Sequence, residues 1–261
     1  MSFKLRDGSF SVKPKSKTRL YIPSLNFAPL HASVCASGAR STLYMSERKI
    51  LKHYPIFWNI TGKICVVVGG GEVAARKVAR LLECKAKVYV ISPELVPELA
   101  DMKREGLIEH ISGLYEGQYP DHTIMIIGAT DDEKINAAVS QDAQARDIPV
   151  NIVDDPQKCD FILPSLVERG ELTIACSTGG NSPALAKQIR KELEAAYGEE
   201  YSDLVNILGK LREKMEKNAG KGQIWFEKLM AEGLLDRIRK KDKVAIRQII
   251  LDVSGEEVDI D

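Results

Sequence analysis

From about residue 55 onward, short apolar runs alternate with longer stretches in which apolar residues recur every three or four positions. The runs at 64–68 (ICVVV), 87–91 (KVYVI), 108–111 (IEHI), 123–127 (TIMII) and 150–153 (VNIV) have the length and the Val/Ile content of strands. Residues 72–83, 94–105 and 132–146 carry the helical period. The link SGLYEGQYPDH, 112–122, is rich in turn formers and holds at most a turn of helix. Alternating strand and helix predicts a mostly parallel sheet with helices on its faces, because parallel neighbours need a crossover between them. Near-continuous Val/Ile runs predict strands buried on both sides. A doubly wound, nucleotide-binding domain over residues 54–155 follows.

The pattern changes after residue 155. FILPSLVERGELTIACSTGG reads as two strand-like runs joined by a turn at Arg169 and Gly170, and only helical periodicity follows, at 183–197, 201–217, 223–235 and 241–252. The predicted fold class is therefore α/β: a Rossmann-like doubly wound parallel sheet, then a small α+β region over 156–198, then a helical C-terminal part over 199–261. Residues 1–53 differ from all of this. Lys4, Arg6, Lys13, Lys15, Lys17, Arg19 and Arg40 face a single acid, Asp7, before Glu47, and serine is abundant without sustained periodicity. A loosely ordered basic extension is the expectation. An organellar transit peptide, or translation assigned upstream of a start at Met45, are the alternatives.

Composition narrows the partners. Lys+Arg and Asp+Glu balance at 37 each, so no global charge argues for nucleic acid or a membrane surface. The basic run at 237–247 lacks interleaved aromatics and reads as a solvated helix face. No apolar run approaches the length of a membrane span. The five cysteines form no CxxC pair and the four histidines are isolated, which predicts no metal site, a reducing compartment and a cytoplasmic location.

Candidate chemistry begins at ICVVVGGGEVAARKV. Gly69, Gly71 and Ala74 fit G-x-G-x-x-A between a strand and a helix, and Gly70 completes the glycine turn. Gly69 permits the tight turn, Gly71 lets a pyrophosphate approach the backbone, and Ala74 permits close helix packing. The helix that starts near Glu72 and Val73 directs unpaired N–H groups at the anion. The acid that usually ends the second strand and holds a ribose is absent: VYVISPEL places Ile91 there. Ser92 can supply one hydrogen bond, and Pro93 and Glu94 can line an adenosine pocket. No arginine stands there to receive a 2′-phosphate, which leans towards NAD over NADP.

Ligands of open parallel sheets bind outside the carboxyl ends of the strands. The fourth strand ends in GATDD, where Ala129 and Thr130 are small enough to admit a flat ring and Asp131 is the expected cap of the next helix. The fifth ends in NIVDD, where Asp154 fits a general base beside a nicotinamide and equally a turn-former before Asp155 and Pro156. In STGGNSPALAKQIR, Ser182 and Pro183 are a good helix start, while Ser177, Thr178, Gly179 and Gly180 form a flexible loop whose donors suit carboxylates.

Taken in order, YPIFWNITGKICVVVGGGEVAARKV, ATDD, NIVDDPQKCDFILPS and STGGNSPALAKQIR resemble the precorrin-2 dehydrogenase family, the N-terminal module of siroheme synthases, over roughly residues 54–197. The resemblance implies oxidation of precorrin-2 to sirohydrochlorin with NAD⁺ as hydride acceptor, and in some members insertion of Fe²⁺ (Co²⁺ being a possible second metal substrate). It implies a homodimer built by the segment after the nucleotide domain. It makes Asp154 the acid implicated in catalysis, Glu72, Val73, Pro93 and Glu94 nucleotide contacts, and residues 177–183 part of the substrate cleft. The methyltransferase half of the fused enzymes has no counterpart here, and neither does the basic start in the family. Other readings of the same glycine turn are an NAD(P)-dependent oxidoreductase of another small substrate and a nucleotide-sensing module without turnover.

Overall fold

The computed structural model describes residues 52–215 and 222–260; the expectations for residues 1–51 lie outside them. Five strands form one sheet: β1 (Ile64–Val68), β2 (Lys87–Ser92), β3 (Ile108–Ser112), β4 (Thr123–Gly128) and β5 (Val150–Ile152). Their order is β3-β2-β1-β4-β5 and every pairing is parallel. Helices α1 (Glu72–Glu83), α2 (Pro97–Arg104) and α3 (Glu133–Ala145) cross between them. The period of two along β1 explains the layering. Cys65 and Val67 pack with Ala74, Ala75, Val78 and Leu81 of α1 and Leu99 of α2, whereas Val66 and Val68 pack with Val139 and Ala143 of α3. Each such buried valine contributes about 1.5–3 kcal/mol against leaving it in water. The sequence order reverses between β1 and β4, which opens a crevice at their carboxyl ends.

The link from β3 to β4 carries no helix. Tyr115, 8% exposed, anchors it by donating its hydroxyl to Asp142 Oδ2 on α3 at 3.0 Å, and Arg146 stacks over the Tyr119 ring at 4.7 Å. Burial pushes the Tyr115 phenol up, with the Asp142 carboxylate adding to it.

Strands β6 (Ser165–Arg169) and β7 (Leu172–Cys176) form an antiparallel hairpin, as the turn at residues 169 and 170 predicts. Arg80 of α1 ties this hairpin to the sheet domain through Glu168 at 2.8 Å; both side chains are exposed, so the pair is worth at most about 1 kcal/mol. Helix α4 (Pro183–Ala196) follows, then α5 (Glu200–Met215), α6 (Gly222–Ala231), α7 (Leu234–Arg239) and α8 (Lys243–Ser254). Leu204, Ile207, Leu211, Leu229, Leu234, Ile238, Ile246 and Ile250 give these last four helices a core of their own. No helix among the described residues is long and apolar enough to cross a membrane.

Two helices depart from the sequence pattern by more than a residue or two at their ends. The stretch 223–235 is two helices, because Gly233 adopts a left-handed φ of 78° that ends α6 and turns the chain into α7. Helix α2 starts at Pro97 instead of residue 94, because proline suits the first helical position and residues 93–96 are held as a loop against the glycine turn.

Candidate active site

The glycine turn is stitched to both neighbouring strand ends. Gly69 N–H donates to Ile91 O at 2.9 Å, Ala129 N–H donates to Val68 O at 2.8 Å, and Val96 N–H donates to Gly70 O at 2.9 Å. Gly69 has φ +125°, and a β-carbon there would lie 2.3 Å from Ala129 O. One on Gly70 would meet the β2–α2 loop, whereas one on Gly71 would meet nothing within 4 Å. The turn thus packs on its inner side and faces open space on its outer side. Helix α1 begins there with Gly71 as its cap and no side chain satisfying its first N–H groups. Those groups and the positive end of the helix suit a diphosphate. A dinucleotide fits: the backbone approaches without obstruction where its charge would lie.

A cleft of about 650 Å³ opens at this point. Its walls include Gly69, Gly70, Gly71, Glu72, Val73, Ser92, Pro93, Glu94, Ala129 and Thr130, so all ten residues that the sequence assigns to the nucleotide meet in one place. Gly113, Leu114 and Tyr115, which carry no motif in the sequence, close the β2 side from within the β3–β4 link. Ser92 is 3% exposed and is held by His110, whose Nε2 lies 3.0 Å from Ser92 O and 3.3 Å from Ser92 Oγ. Lys103 Nζ stands 3.2 Å from the other ring nitrogen, Nδ1.

At the end of β4 one reading is corrected. The cap of α3 is Asp132, whose Oδ1 accepts from Lys134 N–H at 2.8 Å and Ile135 N–H at 3.3 Å. Asp131 instead stands in the cleft wall. The preceding turn is fixed by Asn136, whose Nδ2 donates to Thr130 O at 2.8 Å. Either aspartate satisfies a one-dimensional capping pattern; the chain's exit from Thr130 selects the second.

Asp154 does not stand in the cleft wall. It is exposed at the carboxyl end of the sheet, just past β5, with φ +62°, a left-handed conformation that aspartate tolerates better than most residues. Asp154 also forms the turn expected of it, which Asp155 N–H closes by donating to Ile152 O at 3.3 Å. Asp155 caps the 3₁₀ turn Pro156–Lys158, accepts from Gln157 N–H at 3.3 Å and pairs with Lys158 at 2.5 Å, which holds its carboxyl below the usual range. Among the described residues, no hydrogen bond or ion pair takes up the Asp154 carboxylate. It lies within electrostatic range of Lys77 on α1.

Residues 177–182 also lie outside the cleft wall, and the loop closes on itself. Thr178 Oγ1 donates to Ser182 O and accepts from Ser182 N–H, both at 3.0 Å, while Ser177 Oγ accepts from Gly179 N–H. Ser182 caps α4 by accepting from Leu185 N–H. Gly179 and Gly180 both have positive φ. The set of free donors expected from the sequence is therefore smaller, since the Thr178 hydroxyl and the Gly179, Asn181 and Ser182 N–H groups already donate within the loop.

Residues 56–165 match the family model described as putative NAD(P)-binding, and residues 169–196 match the one described as sirohaem biosynthesis protein central. The siroheme synthase of Methylobacillus flagellatus is 39% identical over 203 residues, covering 75% of this chain and 44% of that protein. That of Thioalkalivibrio sulfidiphilus is 46% identical over 149 residues, covering 56% of this chain and 30% of that protein. The chain is thus similar to the siroheme synthases over its nucleotide-binding part and the segment that follows it. The chain spans less than half the length of those two relatives. The solved structure of SirC, precorrin-2 dehydrogenase, superposes with a TM-score of 0.62 at 24% identity, covering 78% of this chain and all of SirC. At that identity the likeness establishes the shared fold.

Proposed function

We propose that this chain oxidises precorrin-2 to sirohydrochlorin, with NAD⁺ taking the hydride and one proton released. The observation that carries the reading is the single cleft in which all ten expected nucleotide residues meet, open outside Gly71 and closed behind Gly69 and Gly70. Similarity to the siroheme synthases supports the substrate class. Bound NAD⁺ supplies a hydride acceptor; the chain binds it, orients it and manages the proton. The α1 N-terminus and the backbone of residues 69–73 bind the diphosphate. Ala129 and Thr130 admit the ring end at the close of β4. Asp154, unengaged by the cap that Asp155 provides, accepts the proton that accompanies hydride loss.

NAD⁺ is favoured over NADP⁺ by charge. The cleft wall holds Glu72, Glu94 and Asp131 and no Lys, Arg or His, so a 2′-phosphate finds carboxylates and no counter-charge. Glu94, two residues past the end of β2, is close to the place that the ribose-binding acid takes in folds of this kind.

The working form in this reading is a homodimer. An isolated two-stranded hairpin is marginal in water, and β6–β7 with α4 buries few residues, Val167 and Ala186 among them, while Leu185 is 51% exposed. A second copy covers this surface. Light scattering reads the mass, and a monomer at micromolar concentration overturns the dimer.

The activity is tested by anaerobic incubation with precorrin-2 and NAD⁺, followed by the absorption of NADH and of sirohydrochlorin. Parallel reactions with common hydroxy acids separate this reading from an oxidoreductase of small substrates. Binding of NAD⁺ without any turnover identifies a sensing module. Adding Fe²⁺ or Co²⁺ to the product tests metal insertion.

A further inference from the structure

One cation stands on the same face of α1 as the cleft residue Val73 and within electrostatic range of Asp154. Val73, Lys77 and Arg80 follow one another along a single face of α1, separated by four and three residues, so about one helical turn, 5.4 Å, separates each from the next. Val73 stands in the cleft wall. Arg80 is committed at the far end of the row, bonded to Glu83 at 2.7 Å and to Glu168 of the hairpin at 2.8 Å. Lys77 sits between them, half-buried, and among the described residues it has no hydrogen bond and no ion-pair partner within reach. Burial and the neighbouring Arg76 lower its ammonium below the ordinary lysine value, while Asp154 acts in the opposite direction. A partly desolvated, unpaired ammonium is an incomplete arrangement that an added carboxylate completes.

We infer that Lys77 binds a side-chain carboxylate of the polycarboxylate substrate, holding the edge of the macrocycle between the dinucleotide cleft and Asp154. The assignment rests on the precorrin-2 reading of the site. Arg80 cannot take this role without releasing Glu168, and no cation lines the cleft itself. Lys77 and Asp154 are near enough to influence each other yet do not form an ion pair. Lys77 therefore contributes to substrate affinity and orientation, with no part in binding the dinucleotide and no part in the proton transfer.

Lys77→Met and Lys77→Gln, both compatible with a helix interior, test this in the full-length chain. The expected result is a KM for precorrin-2 raised about tenfold, kcat within about threefold and an unchanged Kd for NAD⁺, with Lys77→Arg recovering most of the affinity. Titration with sirohydrochlorin, read by its own absorption, is expected to weaken by the same factor without turnover. A wild-type KM in both neutral variants overturns the Lys77 assignment and leaves the dehydrogenase reading standing. A wild-type chain that binds NAD⁺ but neither binds sirohydrochlorin nor oxidises precorrin-2 overturns the reading itself and this inference with it.

Discussion

A β-carbon on Gly70 would stand 1.9 Å from the carbonyl oxygen of Glu94, in the loop that connects β2 to α2. The same atom would meet Ser92 Oγ at 2.7 Å. Neither contact can be relieved by swinging a long side chain, since one partner is backbone and the other is a short side chain that is almost fully buried. Gly71, the next residue, has open space in the corresponding direction. Two adjacent glycines thus serve different purposes: one joins the turn to the next strand end, the other leaves the cleft clear.

Gly70→Ala and Gly71→Ala therefore separate packing from binding. Gly70→Ala displaces the β2–α2 loop, lowers Tm by several degrees and weakens NAD⁺ binding at least tenfold. Gly71→Ala, at φ −88°, leaves Tm within about 2 °C and weakens NAD⁺ binding alone, because its methyl group enters the space proposed for the diphosphate. Thermal melts and calorimetric titration with NAD⁺ read both effects.

Asp154→Asn is the cleanest test of the proposed base. Asparagine tolerates the left-handed backbone at φ +62° nearly as well as aspartate, whereas alanine adds about 1 kcal/mol of backbone strain. The asparagine variant keeps wild-type Tm and NAD⁺ affinity and loses about 10²–10⁴-fold in kcat. Retention of the full rate in single-turnover kinetics removes Asp154 from the proton transfer.

Cofactor choice follows the charges of the cleft. Wild-type chain binds NADP⁺ at least tenfold more weakly than NAD⁺, and Glu94→Lys narrows that gap by about tenfold through a new pairing with the 2′-phosphate. Competition titrations with both nucleotides measure it. An unchanged ratio in the variant places the 2′-position away from Glu94.

Burial pushes the Cys65 thiol up from 9.0 to about 11, with the neighbouring Cys84 adding to the effect. The folded chain therefore holds this proton while the unfolded chain releases it near pH 9. Between pH 9 and 11 the unfolded state binds fewer protons, so the stabilising contribution is complete below pH 9 and declines as pH rises to 11, by about 3 kcal/mol at most. Urea midpoints measured across that range fall more steeply for wild type than for Cys65→Ala. In native protein at neutral pH, a thiol reagent followed by peptide mapping labels the exposed Cys84 and spares Cys65.

The core of the domain was legible residue by residue where local signals agree. Strand β1 and helix α1 have the bounds read from ICVVVGGGEVAARKVARLLE, because an apolar run, a glycine turn and a 3.6-residue period all change at the same places. The hairpin turn at Arg169 and Gly170 was legible for a similar reason. What escaped depends on the third dimension. Leu114 and Tyr115 sit in a link without periodicity and reach the cleft only because Tyr115 is anchored to Asp142, 27 residues away. The choice between Asp131 and Asp132 as cap turns on the path of the chain after Thr130, held by Asn136. The break at Gly233 was hidden by apolar residues on both sides that keep the helical period through it. Lys77 looks like any surface lysine until its half-burial and its electrostatic reach to Asp154 are known.

The central claim is that the glycine cleft and Asp154 together carry a two-electron oxidation of precorrin-2. Anaerobic single-turnover mixing of the purified chain with precorrin-2 and NAD⁺ tests it most directly. The predicted result is NADH and sirohydrochlorin appearing at one rate and in equal amounts, with both signals abolished together in Asp154→Asn. Tight NAD⁺ binding with no NADH formed from precorrin-2 contradicts it.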